Sequence, residues 1–171
     1  MRAAAILLFG VVSLLAQPAK IDSRWAPLEF LLGDWIGEGG GGPGEGSGGF
    51  AFRPDQGGAI LIRKNLAHYP ATRDKPAYSH TDLLIVYRDS GDTNLRAIYF
   101  DDEDHTIHYM VQPSADGNAV QFLSDAATSQ PRYRLTYRKT GEDRVTIQFE
   151  IAPPGKDFVT YIEASARRKP R

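Results

Sequence analysis

Cysteine is absent from this chain of 171 residues. The absence excludes disulfide bonds, thiolate metal sites and a cysteine nucleophile, so the fold has to rest on a hydrophobic core. An excess of charge of one sign is also lacking, since the formal net charge is −1. This balance provides no electrostatic basis for binding nucleic acid, and we expect no nucleic-acid partner.

Long hydrophobic runs are absent as well. The longest, residues 3–16, is shorter than the ~20 residues of a membrane-spanning helix, so we expect no membrane span. Arg2 before the run and small residues after it are typical of a secretory signal peptide. We predict a signal peptide over residues 1–19, cleaved after Ala16 or Ala19, and one exported domain over residues 20–171. The alternative is a buried N-terminal helix. Together with the missing cysteines, this start favours the bacterial periplasm or exterior.

Helical periodicity is scarce after residue 36, whereas period-two alternation recurs between turn residues such as Asp116-Gly117. One face of segment 145–151 carries only apolar residues: Val145, Ile147, Phe149 and Ile151. We count ten strands, the first two inside a glycine-rich stretch. Because closure removes exposed strand edges, the pattern predicts an all-β fold, a single ten-stranded antiparallel up-and-down β-barrel.

One short helix is predicted over residues 25–32, with Ser23 as its N-cap, to plug one end of the barrel. The glycine-rich stretch begins directly after it. Gly33 permits the positive φ of a sharp turn, and Trp35 then points into the closed end of the barrel. Residues 40–46 are predicted to form a hairpin loop at the opposite end.

The segment LEFLLGDWIGEG, residues 28–39, resembles the opening signature of lipocalin-like (calycin) barrels. It is most similar to the nitrobindin family and to related bacterial domains of unknown function. The resemblance implies a ten-stranded barrel over residues 28–168. Nitrobindins bind haem through a histidine on the last strand, in a run that YIEASARR, residues 161–168, resembles.

The histidine of that run falls on Tyr161, while Ala164 and Arg168 match the family pattern. We therefore expect no haem bound as in nitrobindins and no other cofactor. We expect Tyr161 to lie in the barrel wall, with its hydroxyl hydrogen-bonded at the interior. A haem-binding protein that uses tyrosinate as the ligand is the alternative.

A barrel of this size can enclose a cavity, and we expect this one to bind a small apolar or amphipathic molecule, as a monomer or a homodimer. Arg63 and Arg96 are candidate anchors for a ligand carboxylate. The other candidate binding residues are Trp35, Tyr99, Tyr109, Met110, Tyr133, Tyr137, Phe149 and Tyr161.

An enzyme is the second hypothesis. His68 and His80 bracket the connection 69–78 and could lie opposite each other, with Asp82 on the same face as His80. Such a cluster could coordinate a metal or transfer protons. The third hypothesis is a filled barrel without a ligand. An open cavity without convergent titratable groups would favour binding alone, and one with two or more such buried groups would favour an enzyme.

Two further histidines follow an acidic turn, residues 101–104. His105 and His108 differ by three positions, so on one strand they face opposite sides and cannot share a metal. The turn could hold a divalent cation loosely, but it lacks the spacing of an EF-hand loop, and we predict a solvated hairpin tip there and no metal site.

Overall fold

The structure, a computed structural model, describes residues 22–39, 46–125 and 129–170. The predicted signal peptide and nearly all of the predicted loop 40–46 lie outside these residues. The helices are two 3₁₀ helices, Ser23–Leu31 and Gln56–Gly58. The strands are β1 (Gly33–Glu38), β2 (Ser47–Asp55), β3 (Ile60–Tyr69), β4 (Tyr78–Arg88), β5 (Leu95–Asp101), β6 (Thr106–Pro113), β7 (Ala119–Ser124), β8 (Arg132–Gly141), β9 (Arg144–Ala152) and β10 (Val159–Arg168).

The ten strands form one closed antiparallel barrel, which confirms the predicted fold class. Each strand pairs with its neighbour in sequence, and β1 pairs with β10 from Trp35 opposite Arg168 to Glu38 opposite Ser165. Closure pairs every strand on both sides, so no strand is left as an exposed edge. Among the described residues, neither helix has the length and apolar character needed to cross a membrane.

The first helix plugs one end of the barrel, called here the closed end. It is a 3₁₀ helix, and Trp25, Leu28 and Leu31, each fully buried, recur every three residues as its three-residue turn requires. The predicted N-cap Ser23 is wrong. Asp22 caps the helix because its carboxylate accepts a hydrogen bond from the Arg24 amide at 2.9 Å.

Trp35 lies beneath this plug and is 3% exposed, as predicted. Its indole Nε1 donates a hydrogen bond to the Leu31 carbonyl at 2.8 Å, and its ring stacks on Phe50 with centroids 5.8 Å apart. The Arg168 guanidinium lies 4.4 Å from the ring centroid and donates a hydrogen bond to the Leu32 carbonyl at 2.5 Å. The plug, the first strand and the last strand are thus joined around one tryptophan.

Two glycines of the glycine-rich stretch are required by geometry. Gly33, with φ of +106°, makes the turn from the helix into β1. Gly48 has φ of +132°, and a Cβ atom there would lie 2.0 Å from the Leu66 carbonyl oxygen. The stretch therefore serves strand geometry where β2 approaches β3.

Candidate functional site

A cavity of about 410 Å³ lies in the half of the barrel opposite the plug, called here the open end. Its volume falls within the range of small-molecule pockets, roughly 300–1,000 Å³. Much of its wall is apolar or aromatic and includes Tyr99, Ile107, Tyr109, Tyr133, Ile147 and Phe149.

Strand alternation builds this wall. On β9, Ile147 and Phe149 face inward, while their neighbours in sequence face outward. The rings of Tyr133 and Phe149 stack in parallel with centroids 6.0 Å apart, and the edge of Tyr161 meets Phe149 at 6.4 Å. A flat apolar ligand would find a preformed aromatic surface here.

Tyr137 forms the boundary between the two ends of the barrel. Its fully buried ring packs edge-on against Phe50 and Phe52, with centroids 5.5 and 5.7 Å away. Its hydroxyl accepts a hydrogen bond from Nη1 of Arg63 at 2.5 Å. Tyr137 therefore lies where the apolar core ends and the polar part of the cavity begins.

A buried ion pair stands above this boundary. The side chains of Arg63 and Asp82 are 6% and 5% exposed, and Arg63 Nη2 donates a hydrogen bond to Asp82 Oδ1. The other carboxylate oxygen accepts a hydrogen bond from the Asn65 side chain at 2.8 Å. Arg63 Nε is buried and has no hydrogen-bond partner within the described part of the chain. Burying these charges costs solvation energy that a hydrophobic pair in the same place would not require.

A series of polar contacts leads from the ion pair to the rim. His80 Nε2 lies 3.6 Å from Asp82 Oδ2 and 3.3 Å from the Tyr99 hydroxyl. That hydroxyl donates to Asp101 Oδ2 at 3.2 Å, and His105 Nδ1 lies 2.9 Å from the same oxygen. Polar groups are therefore continuous along one side of the cavity.

Burial raises the pKa of Tyr99 well above its ordinary value, so its hydroxyl keeps its proton. Burial alone would also raise the pKa of Asp101. Hydrogen bonds from the amide and side chain of His105 and from the Glu103 amide outweigh burial, and the pKa of Asp101 falls below its ordinary value. A protonated phenol thus faces an ionised carboxylate.

Many of the candidate binding residues line the cavity, namely Arg63, Tyr99, Tyr109, Tyr133, Tyr137, Phe149 and Tyr161. His80 and Asp82 line it as well. Trp35 does not, because it belongs to the packed core of the closed end.

Arg96 and Met110 also lie outside the cavity. Met110 follows the inward-facing Tyr109 and is therefore turned outward, with 43% of its surface exposed. Arg96 is its cross-strand partner and forms an ion pair with Asp125 at 3.1 Å. Both residues face the outside because strand neighbours alternate.

The predicted cluster of His68, His80 and Asp82 is not formed. His80 pairs with Ala67 and His68 with Ser79, so the two histidines occupy opposite faces of the sheet. His68 is exposed, and its Nδ1 lies 3.0 Å from the Ser79 hydroxyl. Only His80 and Asp82 come together.

Tyr161 departs from its expected position. It is 63% exposed, and among the described residues it contacts the Phe149 ring but makes no hydrogen bond. The register of β10 against β9 shifts between Thr160 and Ile162, which leaves Tyr161 without a partner residue on β9. Ile162 and Ala164 line the cavity, so alternation along β10 does not turn Tyr161 toward the interior.

Sequence reasoning missed Asn65 and Asp101 as polar wall residues. Each lies two positions after a candidate, Arg63 or Tyr99, on the same strand, so strict alternation from those candidates would have found both. It placed Asp102 and Glu103 in the acidic turn but did not predict that their carboxylates approach His80. No local pattern indicates that contact, since it depends on how β4 and the β5–β6 turn meet.

The fold and cavity define a closed antiparallel β-barrel consistent with a calycin-like architecture. No protein-family model matches the chain, and none of the curated proteins compared with it matches either.

Proposed function

We propose that the protein binds one small amphipathic molecule inside the open end of the barrel. The observation that carries the proposal is the cavity of about 410 Å³, with an aromatic wall and a buried polar cluster. The open volume argues against a barrel whose interior is filled by its own side chains.

The chemistry of the polar cluster narrows the ligand class. Arg63 is already paired with Asp82, so it is a weaker anchor for a carboxylate than the sequence suggested. Asp101 and Glu103 add negative charge near the rim. A ligand that is uncharged or cationic at its polar end, such as an alcohol, amide or amine, fits this surface better than an anion.

The cost of the cluster supports a functional role. Buried ion pairs contribute little or nothing to net stability compared with apolar residues of the same volume. The barrel does not need the buried Arg63–Asp82 pair in order to close, because strand pairing and the plug close it. Perturbed polar groups in a cavity mark a binding or active site.

A probe titration tests the proposal. The uncharged fluorophore N-phenyl-1-naphthylamine is expected to bind saturably with one-to-one stoichiometry, and more tightly than its anionic relative 1-anilinonaphthalene-8-sulfonate. Ile147→Trp fills the cavity and should weaken binding of the uncharged probe at least about tenfold, or more than ~1.4 kcal/mol. The matched control is Thr146→Trp on the other face of β9. Equal weakening in both variants would contradict binding in the cavity.

An enzyme is the second candidate. The criterion drawn from the sequence favours it, because Arg63, Asp82 and His80 are titratable groups that converge on the open cavity. Asp82 and Tyr99 orient the His80 ring at the wall of an open cavity, an arrangement suited to general acid–base catalysis. If the protein is an enzyme, a molecule that co-purifies with it should change mass when more of that molecule is added in excess and incubated with the protein. His80→Gln should stop the change while the molecule still binds. An unchanged mass would support binding without catalysis.

We also propose that the protein is exported, on the strength of the signal-like residues 1–19. After expression in bacteria, N-terminal sequencing of the periplasmic fraction should begin after Ala16 or Ala19. An intact Met1 on that fraction would overturn export by a cleaved signal peptide.

A further inference from the structure

Three potential metal-ligand atoms converge at the rim of the cavity. His80 Nδ1 lies 3.2 Å from Asp102 Oδ1 and 3.7 Å from Glu103 Oε1. All three atoms lie within 4.8 Å of one another. The histidine comes from β4 and the two carboxylates from the β5–β6 turn, so the site joins two elements.

Asp102 is held in a ligating orientation by Thr81. Its Oδ2 accepts hydrogen bonds from the Thr81 amide and hydroxyl, both at 2.9 Å, and its own amide donates to the Thr81 carbonyl at 3.1 Å. The other oxygen, Oδ1, is left facing His80. The hydrogen bonds from Thr81 lower the pKa of Asp102, so the carboxylate is ionised at neutral pH.

The tautomer of His80 follows from its other ring nitrogen. The Tyr99 hydroxyl donates its proton to Asp101, because an ionised carboxylate only accepts. The same hydroxyl oxygen is therefore an acceptor toward His80, and Nε2 carries the proton that it accepts. In a neutral imidazole, Nδ1 then holds a lone pair.

That lone pair faces one carboxylate oxygen of Asp102 and one of Glu103. Three electron-rich atoms thus point at one another, and the arrangement is repulsive unless a cation lies between them. The two candidate cations are a second proton on His80 and a metal ion.

We propose that His80, Asp102 and Glu103 bind one divalent transition-metal ion, with Zn²⁺ as the test ion. In a tetrahedral site, ligand bonds of about 2.0–2.2 Å place neighbouring ligand atoms roughly 3.3–3.6 Å apart, close to the two separations from Nδ1, 3.2 and 3.7 Å. A small rotation of the exposed Glu103 side chain completes the set. A ligating histidine normally donates its other N–H to an oxygen acceptor, as Nε2 does here to Tyr99.

Such a site would have a free coordination position toward the cavity, since His80 and Glu103 both line it. Three protein ligands and one open position are typical of zinc sites that bind a water molecule or a substrate. The inference does not depend on the proposed ligand, because the three side chains form the site without one.

Calorimetric titration of chelator-treated protein with Zn²⁺ alone tests the inference. We expect one-to-one binding, weakened at least about tenfold by each of His80→Ala, Asp102→Asn and Glu103→Gln, since each removes one ligand. Glu103 is 60% exposed, so its variant should keep the fold, as a far-UV spectrum would verify.

The controls are matched in residue type and position. Asp104→Asn alters an acid in the same turn, and His108→Ala removes an exposed histidine of β6 that is not part of the cavity wall. His68→Ala removes a histidine from the outer face of the neighbouring strand. Each control should change the affinity less than about threefold, or ~0.65 kcal/mol.

Two results would overturn the inference. One is the absence of one-to-one Zn²⁺ binding at a pH where histidine is neutral, which would leave the proton as the cation of the cluster. The other is binding that His105→Ala abolishes while His80→Ala leaves it intact.

Discussion

The closed and open ends of the barrel are built from the same strands but differ in packing and in buried charge. At the closed end, large apolar side chains pack against one another, and each indole N–H reaches a backbone carbonyl. Trp25 donates to Gly58 at 2.9 Å and Trp35 to Leu31 at 2.8 Å. At the open end, Arg63 and Asp82 are buried beside a cavity, and Arg63 Nε has no partner among the described residues.

This difference separates stability from function along the barrel axis. The closed end pairs its polar atoms and leaves little space, as interiors selected for stability do. The open end keeps space and charge, both of which lower stability. We therefore expect truncation of the packed closed end to lower stability strongly. Replacement of the whole ion pair at the open end by apolar residues should leave stability nearly unchanged and weaken binding.

The largest expected effect is at the closed end. Trp35→Ala should lower the free energy of unfolding by ~3–5 kcal/mol, because it leaves a cavity and removes the stacking on Phe50. Tyr161→Ala, at the exposed rim of the open end, should cost less than ~1 kcal/mol. Urea unfolding of both variants measures the contrast. A loss under ~1 kcal/mol for Trp35→Ala would break it.

The stability effect of replacing one residue of the ion pair at the open end should depend on whether the other residue is still charged. Asp82→Leu leaves the Arg63 guanidinium buried and unpaired, and should cost ~3–5 kcal/mol. The double variant Arg63→Met with Asp82→Leu should recover to within ~1 kcal/mol of the native protein or exceed it. Chemical denaturation of the three proteins gives the comparison. A double variant no more stable than the single one would show that the pair supports the fold.

Acid titration compares one carboxylate from each end. Hydrogen bonds from Ser114 and Asn118 lower the pKa of Asp116, at the closed end, to about 2. The pKa of Asp101, at the open end, is also lowered. Because both folded pKa values lie below the unfolded value of ~3.9, each contribution to stability is present above that pH and is lost as pH falls through the folded pKa.

Carbon-13 NMR of the side-chain carboxyls should give a midpoint near 2 for Asp116 and one below ~3.9 for Asp101. In the Asp101→Asn variant, the free energy of unfolding should depend less on pH below about 5. An Asp101 midpoint above ~3.9 would mean that burial outweighs the hydrogen bonds from His105 and Glu103.

We expect haem to bind specifically at neither end of the barrel. In the segment that resembles the haem-binding run of nitrobindins, Tyr161 stands in place of the ligand histidine, so it would have to ligate ferric iron as tyrosinate. Among the described residues, no charged group contacts its ring or hydroxyl to stabilise that anion. Titration with ferric haem should therefore leave the absorption spectrum that of free haem. A saturable one-to-one complex, weakened by Tyr161→Phe, would reverse this prediction.

The features predictable from the sequence are those with a short repeat. Alternation along β8 and β9 predicts those strands and places Tyr133, Tyr137 and Phe149 on their apolar faces. Ten such segments between turns predict the closed barrel. The Gly33–Trp35 pattern next to an apolar helix also predicted the buried tryptophan.

The features that failed depend on which face of a strand is turned inward and on turns. His68 lies five positions after the inward-facing Arg63 on β3, so alternation turns it outward. Tyr161 lies one position before the inward-facing Ile162 on β10 and is likewise turned away from the interior. The approach of Asp102 to His80 brings together a strand and a turn that no local pattern links.

Native mass spectrometry of the purified protein tests the central claim most directly, namely that the open end is a binding cavity. We predict a small molecule bound one-to-one to the native protein, released on denaturation and absent from the cavity-filling variant Ile147→Trp. The Thr146→Trp control should retain it. The same bound mass in both variants, or no bound mass in any protein after exposure to a host extract, would contradict the account.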